Sequence, residues 1–302
     1  MASYFLNRPR PLVVGGDGLI GRHVAARYAT LGIDAFATTR NRALAGPRRP
    51  FVDLSRSSWP DIATHRYTHV LLTAGRTGLN ACHADPEGSR LVNVTRTGEF
   101  AAMQFAQDNH LLFLSSSQVF DGCRPFPAPN WPPEPVTTYG RQKADAEQIL
   151  MQRHREIGTG RLTILRLSKV LHPDSGLIRR WYDRLGVGMP VTAVNDMMVS
   201  PVDVGTVVDA ILLIFQHGME GIFHLSATEE ISYLALAEHI ASRLGVSPDM
   251  IWPGRDPDLP LLMEKPPVHS VLDSGRLAGA GLTIPTPWQA TDKVMAAMQG
   301  TR

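Results

Sequence analysis

The sequence predicts an α/β protein with a doubly wound parallel sheet and a smaller C-terminal lobe. Short apolar runs, typical of strands buried on both faces, alternate along the chain with longer segments of helical periodicity. Such alternation implies parallel strands joined by right-handed helical crossovers. The 302 residues and the 43% hydrophobic content are enough for a sheet with a sizeable core and an appended lobe.

Seven strands are expected, each an apolar run bounded by turn residues. They are Pro11–Val14, Ala35–Thr39, Phe51–Leu54, Val70–Gly75, Leu111–Leu114 with the serines after it, Leu162–Val170 and Gly221–Leu225. Helices are expected directly after the first strand and at Arg90–Asp108, Thr138–His154, Val204–Phe215, Ile231–Leu244 and Trp288–Met298. The proline-rich stretch 248–267 is predicted to be irregular.

The turn after the first strand has the spacing of a dinucleotide-binding loop. Gly15, Gly18 and Gly21 suit a tight strand-to-helix turn, close approach of the backbone to a pyrophosphate, and helix–sheet packing. The helix that follows, with Leu19 and Ile20 in its first turn, presents free N–H groups and the positive end of its dipole to phosphates. These five residues are therefore the predicted phosphate site of a Rossmann-type domain.

The end of the second predicted strand indicates which dinucleotide to expect. A carboxylate there binds the ribose 2′-hydroxyl of NAD, whereas an arginine accommodates the 2′-phosphate of NADP. The segment offers Thr39, Arg40 and Arg42 and no acid, which favours NADP, used as NADPH. NAD stays possible, because surface arginines are common at strand ends. Asp17, inside the glycine loop, is expected to point to solvent.

A second set of residues carries candidate chemistry. Three serines, Ser115 to Ser117, follow the fifth strand, and ligands sit at the carboxyl ends of strands in open parallel sheets. Tyr139 and Lys143 are four residues apart, which places both on one face of a helix, about 6 Å apart at Cβ. The ammonium is expected to lower the pKa of the phenol, so that Tyr139 can exchange a proton near neutral pH.

The glycine turn, the serine-ended strand and the Tyr-Lys helix together resemble the extended short-chain dehydrogenase/reductase superfamily. Within it the chain is most similar to the dTDP-4-dehydrorhamnose reductase group, which also includes a non-catalytic regulatory subunit of methionine adenosyltransferase. The resemblance spans nearly the whole chain. Its matching segments are Val119–Gly122, Tyr139–Glu147, Ile164–Ser168, Ser200–Val204, Ser270–Asp273 and Pro287-Trp288.

The resemblance implies roles for individual residues. Ser116 falls on the catalytic hydroxyl, Tyr139 on the proton donor, and Lys143 on the residue that binds the nicotinamide ribose and tunes the tyrosine. The residues implied to border the adenine and the central ribose are Asp53, Leu54, Ala74 and Gly75.

The chain departs from the group's pattern on the substrate side. The group's Thr-Asp-Tyr is replaced by Ser116-Ser117-Gln118, and its Trp after Arg-Thr-Ser is replaced by Lys169. Ser116, Ser117, Gln118 and Lys169 are therefore the expected substrate contacts. The identity of the sugar is left open, whereas the hydride chemistry is not affected.

The implied architecture is a dinucleotide-binding domain over residues 1–170, to which 201–228 also contribute, and a substrate-binding lobe over 171–200 and 229–302. The implied activity is NADP-dependent reduction of a keto group on a sugar or sugar nucleotide. An epimerase or dehydratase on the same scaffold, and a non-catalytic NADP-binding regulatory subunit, are the alternatives. Relatives often pair through the two helices at 90–108 and 138–154, so a homodimer is a further expectation.

Charge and cysteine content narrow the function classes. A net charge of +2, from 30 basic and 28 acidic residues, gives no reason to expect nucleic acid or a membrane surface as a partner. Cys82 and Cys123 match no metal-ligand spacing, so no metal is expected, and free thiols suit a reducing cytoplasm. The sequence shows no signal peptide and no apolar stretch of membrane-spanning length, so a cytoplasmic location is expected.

Overall fold

The computed structural model of the chain describes residues 9–63, 67–255 and 262–300. The strands, in chain order, are β1 Pro11–Val14, β2 Phe36–Ala37, β3 His69–Leu72, β4 His110–Ser116, β5 Arg161–Leu167, β6 Val170–Leu171, β7 Val191–Ala193, β8 Met198–Val199, β9 Val202–Asp203, β10 Gly221–Leu225, β11 Ile231–Ser232 and β12 Ile251–Pro253. The α-helices are α1 Leu19–Thr30, α2 Pro60–Ala63, α3 Leu79–Ala84, α4 Pro86–Arg90, α5 Thr97–Ala106, α6 Thr138–Ile157, α7 Gly176–Gly186, α8 Val204–His217, α9 Tyr233–Leu244, α10 Gly275–Gly279 and α11 Pro287–Gln299. A π-helical segment, Leu91–Arg96, joins α4 to α5.

The central sheet has six parallel strands in the order β10-β5-β4-β3-β1-β2. The chain moves outward from β1 to β2 and then returns to the other side of β1 to form β3. Leu12 in β1 accordingly pairs with Phe36 of β2 on one side and with Val70 of β3 on the other. This reversal creates a crevice at the carboxyl ends of β1 and β3, which is where open α/β sheets bind ligands.

Apolar clusters cover both faces of the sheet, which confirms the predicted doubly wound arrangement. On one face, Phe100 of α5 and Leu150 of α6 pack against the strands. On the other face, Val24 of α1 and Val207 and Ile211 of α8 do so. Strands covered on both sides must be apolar along their whole length, which explains the unbroken buried run of β1.

The second and third predicted strands differ from the structure. Only Phe36–Ala37 of the predicted strand 35–39 is paired as a strand, and the predicted strand Phe51–Leu54 contributes a single parallel bridge, between Thr39 and Phe51. The backbone N–H of Phe51 donates to the carboxylate of Asp61 at 3.1 Å, so it does not join the ladder. The strand prediction at 51–54 was therefore wrong, because the segment is joined to its neighbour only at Thr39, whose carbonyl accepts the Val52 N–H at 3.0 Å.

A third apolar cluster lies in the C-terminal half of the chain. Trp181 of α7 is 2% exposed and packs with residues of α9 and α11, including Ile240 and Met295. Two small sheets border this cluster, a parallel pair of β7 with β12 and an antiparallel pair of β8 with β11. Helix α7 had no counterpart in the prediction from sequence. The predicted domain boundaries stay a prediction.

Parts of three sequence predictions lie outside the described residues. These are the first domain at residues 1–8 and 64–66, the irregular stretch at 256–261, and the second domain at 256–261 and 301–302. Within the described ranges, no helix is both long enough and apolar enough to cross a membrane.

Candidate active site

The glycine loop turns the chain from β1 into α1 with no room for side chains. Gly15 has φ +96°, and a Cβ added there would lie 2.5 Å from Thr73 Oγ1. A Cβ on Gly21 would lie 2.2 Å from the carbonyl oxygen of Gly15. Gly18 is the N-cap of α1, and no side chain among the described residues caps this helix end. The N–H groups of the first turn, which holds Leu19 and Ile20, are thus available to an anion.

Two further predicted cofactor residues border the same crevice. The backbone N–H of Ala74 donates to the carbonyl of Val14 at 3.0 Å, and a Cβ on Gly15 would lie 2.9 Å from that nitrogen. A Cβ on Gly75 would approach Asn93 Oδ1 to 3.1 Å. The walls of the crevice are therefore backbone and small residues, as a dinucleotide pyrophosphate and ribose require. The residues present fit such a cofactor.

The predicted adenine-side residues are divided between the core and the surface. Leu54 is 3% exposed and packs in the core beside the sheet. Asp53 accepts hydrogen bonds from the backbone N–H and hydroxyl of Ser55, at 2.9 and 2.8 Å. Burial raises the pKa of Asp53, but these hydrogen bonds and the charges of Arg56 and Arg40 outweigh it and hold the pKa below its ordinary value. The positive charge of Arg40 therefore helps to keep the Asp53 carboxyl ionised.

Asp17 is exposed, as expected from the sequence, but its carboxylate is also held by three donors. Its Oδ2 accepts a hydrogen bond from the Thr39 hydroxyl at 2.8 Å and from the Arg40 backbone N–H at 3.3 Å. Its Oδ1 lies 2.5 Å from Arg49 Nη2. The carboxylate thus joins the glycine loop to the segment after β2, where Thr39 is 1% exposed. The two predicted cofactor residues Thr39 and Arg40 are both engaged by it.

The structure brings the three predicted catalytic residues together at the carboxyl end of β4. Ser116 is the last residue of β4, and Tyr139 lies in the first turn of α6, close enough for the Ser116 hydroxyl to act on the pKa of the phenol. Lys143, one turn further along α6, donates from Nζ to the carbonyl oxygen of Leu114 at 2.8 Å. Gly140 allows the first turn of α6 to lie directly against the backbone of Gln118, because a Cβ at position 140 would lie 2.1 Å from the Gln118 carbonyl oxygen.

The electrostatics of the pair differ from the prediction. Burial raises the pKa of Tyr139 above its ordinary value, nearby Cys82 acts in the same direction, and the hydrogen bond with Ser116 opposes both. The predicted lowering of the Tyr139 pKa was therefore wrong in sign, because burial dominates; the Lys143 ammonium, with Nζ 5.9 Å from the Tyr139 ring centroid, donates to the Leu114 carbonyl. Burial lowers the pKa of Lys143 to about 8, although Glu147 and Cys82 act to raise it.

A buried amide network, missed in the sequence, holds the middle of α6. Asn93, in the π-helical segment, donates to Gln142 Oε1 at 2.8 Å, and Gln142 Nε2 donates to the Ser89 hydroxyl at 2.8 Å. Asn93 Oδ1 also accepts the backbone N–H of Arg76 at 2.8 Å. Gln142 lies between Tyr139 and Lys143 in sequence, so the network fixes the helix turn that carries both. No local pattern signals this network, because α6 carries many other polar and charged side chains.

A buried ion pair packs next to the predicted catalytic residues. Arg166 of β5 and Glu147 of α6 are each 1% exposed, and Glu147 Oε1 also accepts the hydroxyl of Ser115 at 2.5 Å. Arg166 further donates to the carbonyl of Pro129 at 3.2 Å. Because Ser115 precedes Ser116, the pair fixes both the end of β4 and the face of α6 that carries Lys143.

The predicted substrate residues lie along one edge of the sheet. Ser117 is 8% exposed, and Gln118 Oε1 accepts the Thr137 hydroxyl at 3.4 Å. Ser116 pairs in register with Leu167 of the neighbouring strand β5, and Lys169 follows two residues later. The Lys169 side chain faces solvent, yet the surrounding protein lowers its pKa by desolvation. Lys169 therefore lies at the same edge of the sheet as Ser116.

Comparison with known proteins agrees with this geometry. A family model described as the RmlD substrate binding domain matches residues 10–299. The dTDP-4-keto-6-deoxy-D-glucose reductase of Streptomyces niveus is 28% identical over 299 residues, covering 92% of this chain and 93% of the relative. The methionine adenosyltransferase 2 subunit beta of Pongo abelii is 24% identical over 288 residues, covering 93% of this chain and 85% of that protein.

A solved structure shares the fold. The dTDP-4-dehydrorhamnose reductase of Bacillus anthracis, solved in complex with NADP, superposes with a TM-score of 0.81 at 18% identity. The match covers 96% of this chain and 99% of the other.

Proposed function

The chain belongs to the RmlD substrate binding domain family, and we propose on that basis that it reduces a keto group of a nucleotide-linked sugar with a reduced nicotinamide dinucleotide. The observation that carries this proposal is the convergence of Ser116, Tyr139 and Lys143 at the carboxyl edge of the sheet that also holds the glycine loop. A relative aligned over 92% of the chain is named as a reductase of a keto-deoxy sugar nucleotide, which supports the substrate class.

Different groups along the carboxyl edge of the sheet would hold the pyrophosphate and the two riboses of the cofactor. The loop from Gly15 to Gly21 would bind the pyrophosphate, Ala74 and Gly75 would pass the central ribose, and Lys143 with Tyr139 would meet the nicotinamide ribose. When bound, the reduced nicotinamide supplies the hydride that the carbonyl carbon accepts. The groups around the segment after β2, distinct from those that carry the reaction, would govern the choice between NADPH and NADH.

The protein's own residues manage the carbonyl oxygen. The Ser116 hydroxyl donates a hydrogen bond to that oxygen and stabilises the negative charge that develops on it. Tyr139 transfers its phenolic proton to the same oxygen, which completes the alcohol. The phenol carries its proton at neutral pH and can donate it, since burial raises the pKa of Tyr139. The Lys143 ammonium stabilises the phenolate that remains.

A regulatory role without turnover is the second candidate. Its support is the alignment of a methionine adenosyltransferase regulatory subunit over 93% of this chain. Such a subunit would need the dinucleotide site but not the proton donor. Both candidate functions therefore require dinucleotide binding. They differ in whether the bound cofactor is oxidised when a keto sugar is added.

The decisive experiment follows absorbance of the reduced nicotinamide with a panel of keto-sugar nucleotides, beginning with dTDP-4-keto-6-deoxyglucose. We expect substrate-dependent oxidation in the wild type and a loss of at least 100-fold in kcat for Tyr139→Phe, since general acid catalysis contributes about 10²- to 10⁴-fold. Tyr28→Phe, a buried tyrosine on α1, is the matched control and should keep full activity. Cofactor binding without oxidation by any panel member would favour the regulatory subunit.

A further inference from the structure

We propose that Asp17 sets the cofactor preference of this protein by acting as an internal anion where the 2′-phosphate of NADPH would bind. This inference rests on the proposed function, since it concerns the dinucleotide of that reaction. It assigns a role to a residue of the glycine loop that takes no part in binding the pyrophosphate.

The three donors around Asp17 form a phosphate-type site. They are the Thr39 hydroxyl at 2.8 Å, the Arg40 backbone N–H at 3.3 Å and the Arg49 guanidinium at 2.5 Å. A hydroxyl, a backbone amide and a guanidinium are the groups that proteins use to bind phosphate oxygens. In this chain the carboxylate of Asp17 already occupies them.

The position of this site matches the adenosine ribose. Thr39 and Arg40 follow β2 directly, and β2 is the neighbour of β1, from which the glycine loop leaves. The loop touches this segment, because a Cβ on Gly16 would lie 2.8 Å from the Thr38 carbonyl oxygen. In folds of this type, the residues after the second strand meet the ribose 2′ position. No acid follows β2 in the sequence, but in the fold the Asp17 carboxylate of the glycine loop lies against the residues after β2.

The negative charge of the Asp17 carboxylate determines which of the two dinucleotides is favoured. A ribose 2′-hydroxyl can donate to the Asp17 carboxylate, so NADH is accepted. A 2′-phosphate either sits beside a like charge or displaces Asp17 from its three donors. Burial raises the pKa of Asp17, but hydrogen bonds from Arg49, Thr39 and Arg40 outweigh it and hold the pKa below its ordinary value, so the carboxylate is charged at neutral pH.

Two of the arginines near this site have partners of their own. Arg42 stacks on the Phe51 ring, with its guanidinium carbon 4.0 Å from the ring centroid, and Arg49 is paired with Asp17 itself. The prediction of NADP from the sequence counted the cations after β2 but not the carboxylate that reaches them from the loop. Asp17 therefore lowers the preference for NADPH that these arginines would otherwise give.

The test is the ratio of the dissociation constants of NADH and NADPH, measured by calorimetry without substrate. We expect Asp17→Asn and Asp17→Ala each to tighten NADPH at least tenfold relative to NADH. Asp34→Asn is the matched control, because Asp34 pairs with Arg48 at 2.7 Å before β2, at the opposite end of the strand. It should leave the ratio unchanged.

A second variant identifies the cation that Asp17 releases. In the double variant Asp17→Asn with Arg49→Gln, the gain in NADPH affinity should be lost, because the freed guanidinium is gone. A ratio within twofold of the wild type for both single Asp17 variants would overturn the proposal. Wild-type protein that binds neither dinucleotide would overturn the proposed function as well, so the two failures are distinguishable. Circular dichroism of each variant confirms that it is folded.

Discussion

Glu147 and Arg166 form an ion pair in which each side chain is only 1% exposed, with Arg166 Nη2 2.6 Å from Glu147 Oε2. The pair joins α6 to β5, and Glu147 also accepts the hydroxyl of Ser115. Its charged groups therefore have protein partners on several sides, which offsets the cost of removing them from water. Because Lys143 lies one helical turn before Glu147, the pair also contributes to the charge balance of the site.

Removing one member of this pair leaves the other as an uncompensated buried charge. Glu147→Gln is expected to lower the free energy of unfolding by about 3–5 kcal/mol, the usual cost of breaking a buried pair. Urea unfolding measures this change. Glu156→Gln, which breaks the exposed pair with Arg153 on the same helix, is the control and should leave the midpoint unchanged. Equal midpoints for the two variants would contradict the role given to Glu147.

Activity is expected to depend on the protonation of Lys143. Burial lowers its pKa to about 8 from an ordinary value of 10.5, so the ammonium is lost as pH rises through 8. The value of kcat/KM should then fall about tenfold per pH unit above pH 8, because the neutral amine no longer stabilises the Tyr139 phenolate. Tyr139 itself does not produce this decline, since its pKa is raised.

Two controls separate this effect from other causes. Lys169→Met should keep the alkaline decline, although the pKa of Lys169 is also lowered. The free energy of unfolding should instead increase as kcat/KM falls, because the unfolded chain holds the Lys143 proton up to higher pH than the folded chain does. The contribution of Lys143 to the free energy of unfolding therefore rises with pH between about 8 and 10.5. A rate that stays flat to pH 9.5 would remove Lys143 from the scheme.

Gly21 is expected to tolerate no side chain. A Cβ at this position would lie 2.2 Å from the Gly15 carbonyl oxygen, so Gly21→Ala must displace the loop from α1. We expect a loss of about 1–3 kcal/mol in unfolding free energy, typical of overpacking, and at least tenfold weaker dinucleotide binding. Thermal unfolding and calorimetry measure the two effects. In Gly46→Ala, where the added Cβ meets nothing within 4 Å, both quantities should stay at wild-type values.

Local patterns explain what could be predicted from the sequence. The glycine loop, the serines after β4 and the Tyr139–Lys143 spacing each lie within a few consecutive residues, and each was found where predicted. The packing of α6 against β4 then brings Ser116 and Tyr139 together, because the carboxyl end of a parallel strand faces the start of the helix that follows. The roles assigned to these residues stay predictions until variants are measured.

Long-range contacts explain what could not be predicted. The segment 51–54 is apolar like a strand, but its backbone groups bond to Asp61 and to a single residue of the neighbouring segment, Thr39. Asp17 is exposed as expected, but its ion pair could not be predicted, because its partner Arg49 is 32 residues away in sequence. The pKa of Tyr139 depends on burial, which helical spacing does not reveal.

Glu264 is expected to control the start of the catalytic helix from a distant part of the chain. The first N–H groups of a helix have no acceptor within the helix. Glu264 accepts from the backbone N–H of Thr138 at 2.8 Å and from its hydroxyl at 3.0 Å, and Arg141 Nη2 lies 3.0 Å from the same carboxylate. A carboxylate at this position also interacts favourably with the helix dipole.

Loss of this carboxylate should loosen the turn that carries Tyr139. For Glu264→Ala we expect about tenfold faster amide exchange at Thr138, in line with a capping interaction of about 0.5–2 kcal/mol, and a lower rate of turnover. Hydrogen–deuterium exchange of the peptide that covers 137–141 measures the first effect. Glu238→Ala, an exposed position on α9, should change neither. If exchange at Thr138 stays at the wild-type rate while turnover falls, Glu264 acts on the substrate and not on the helix, because the cap would then be intact.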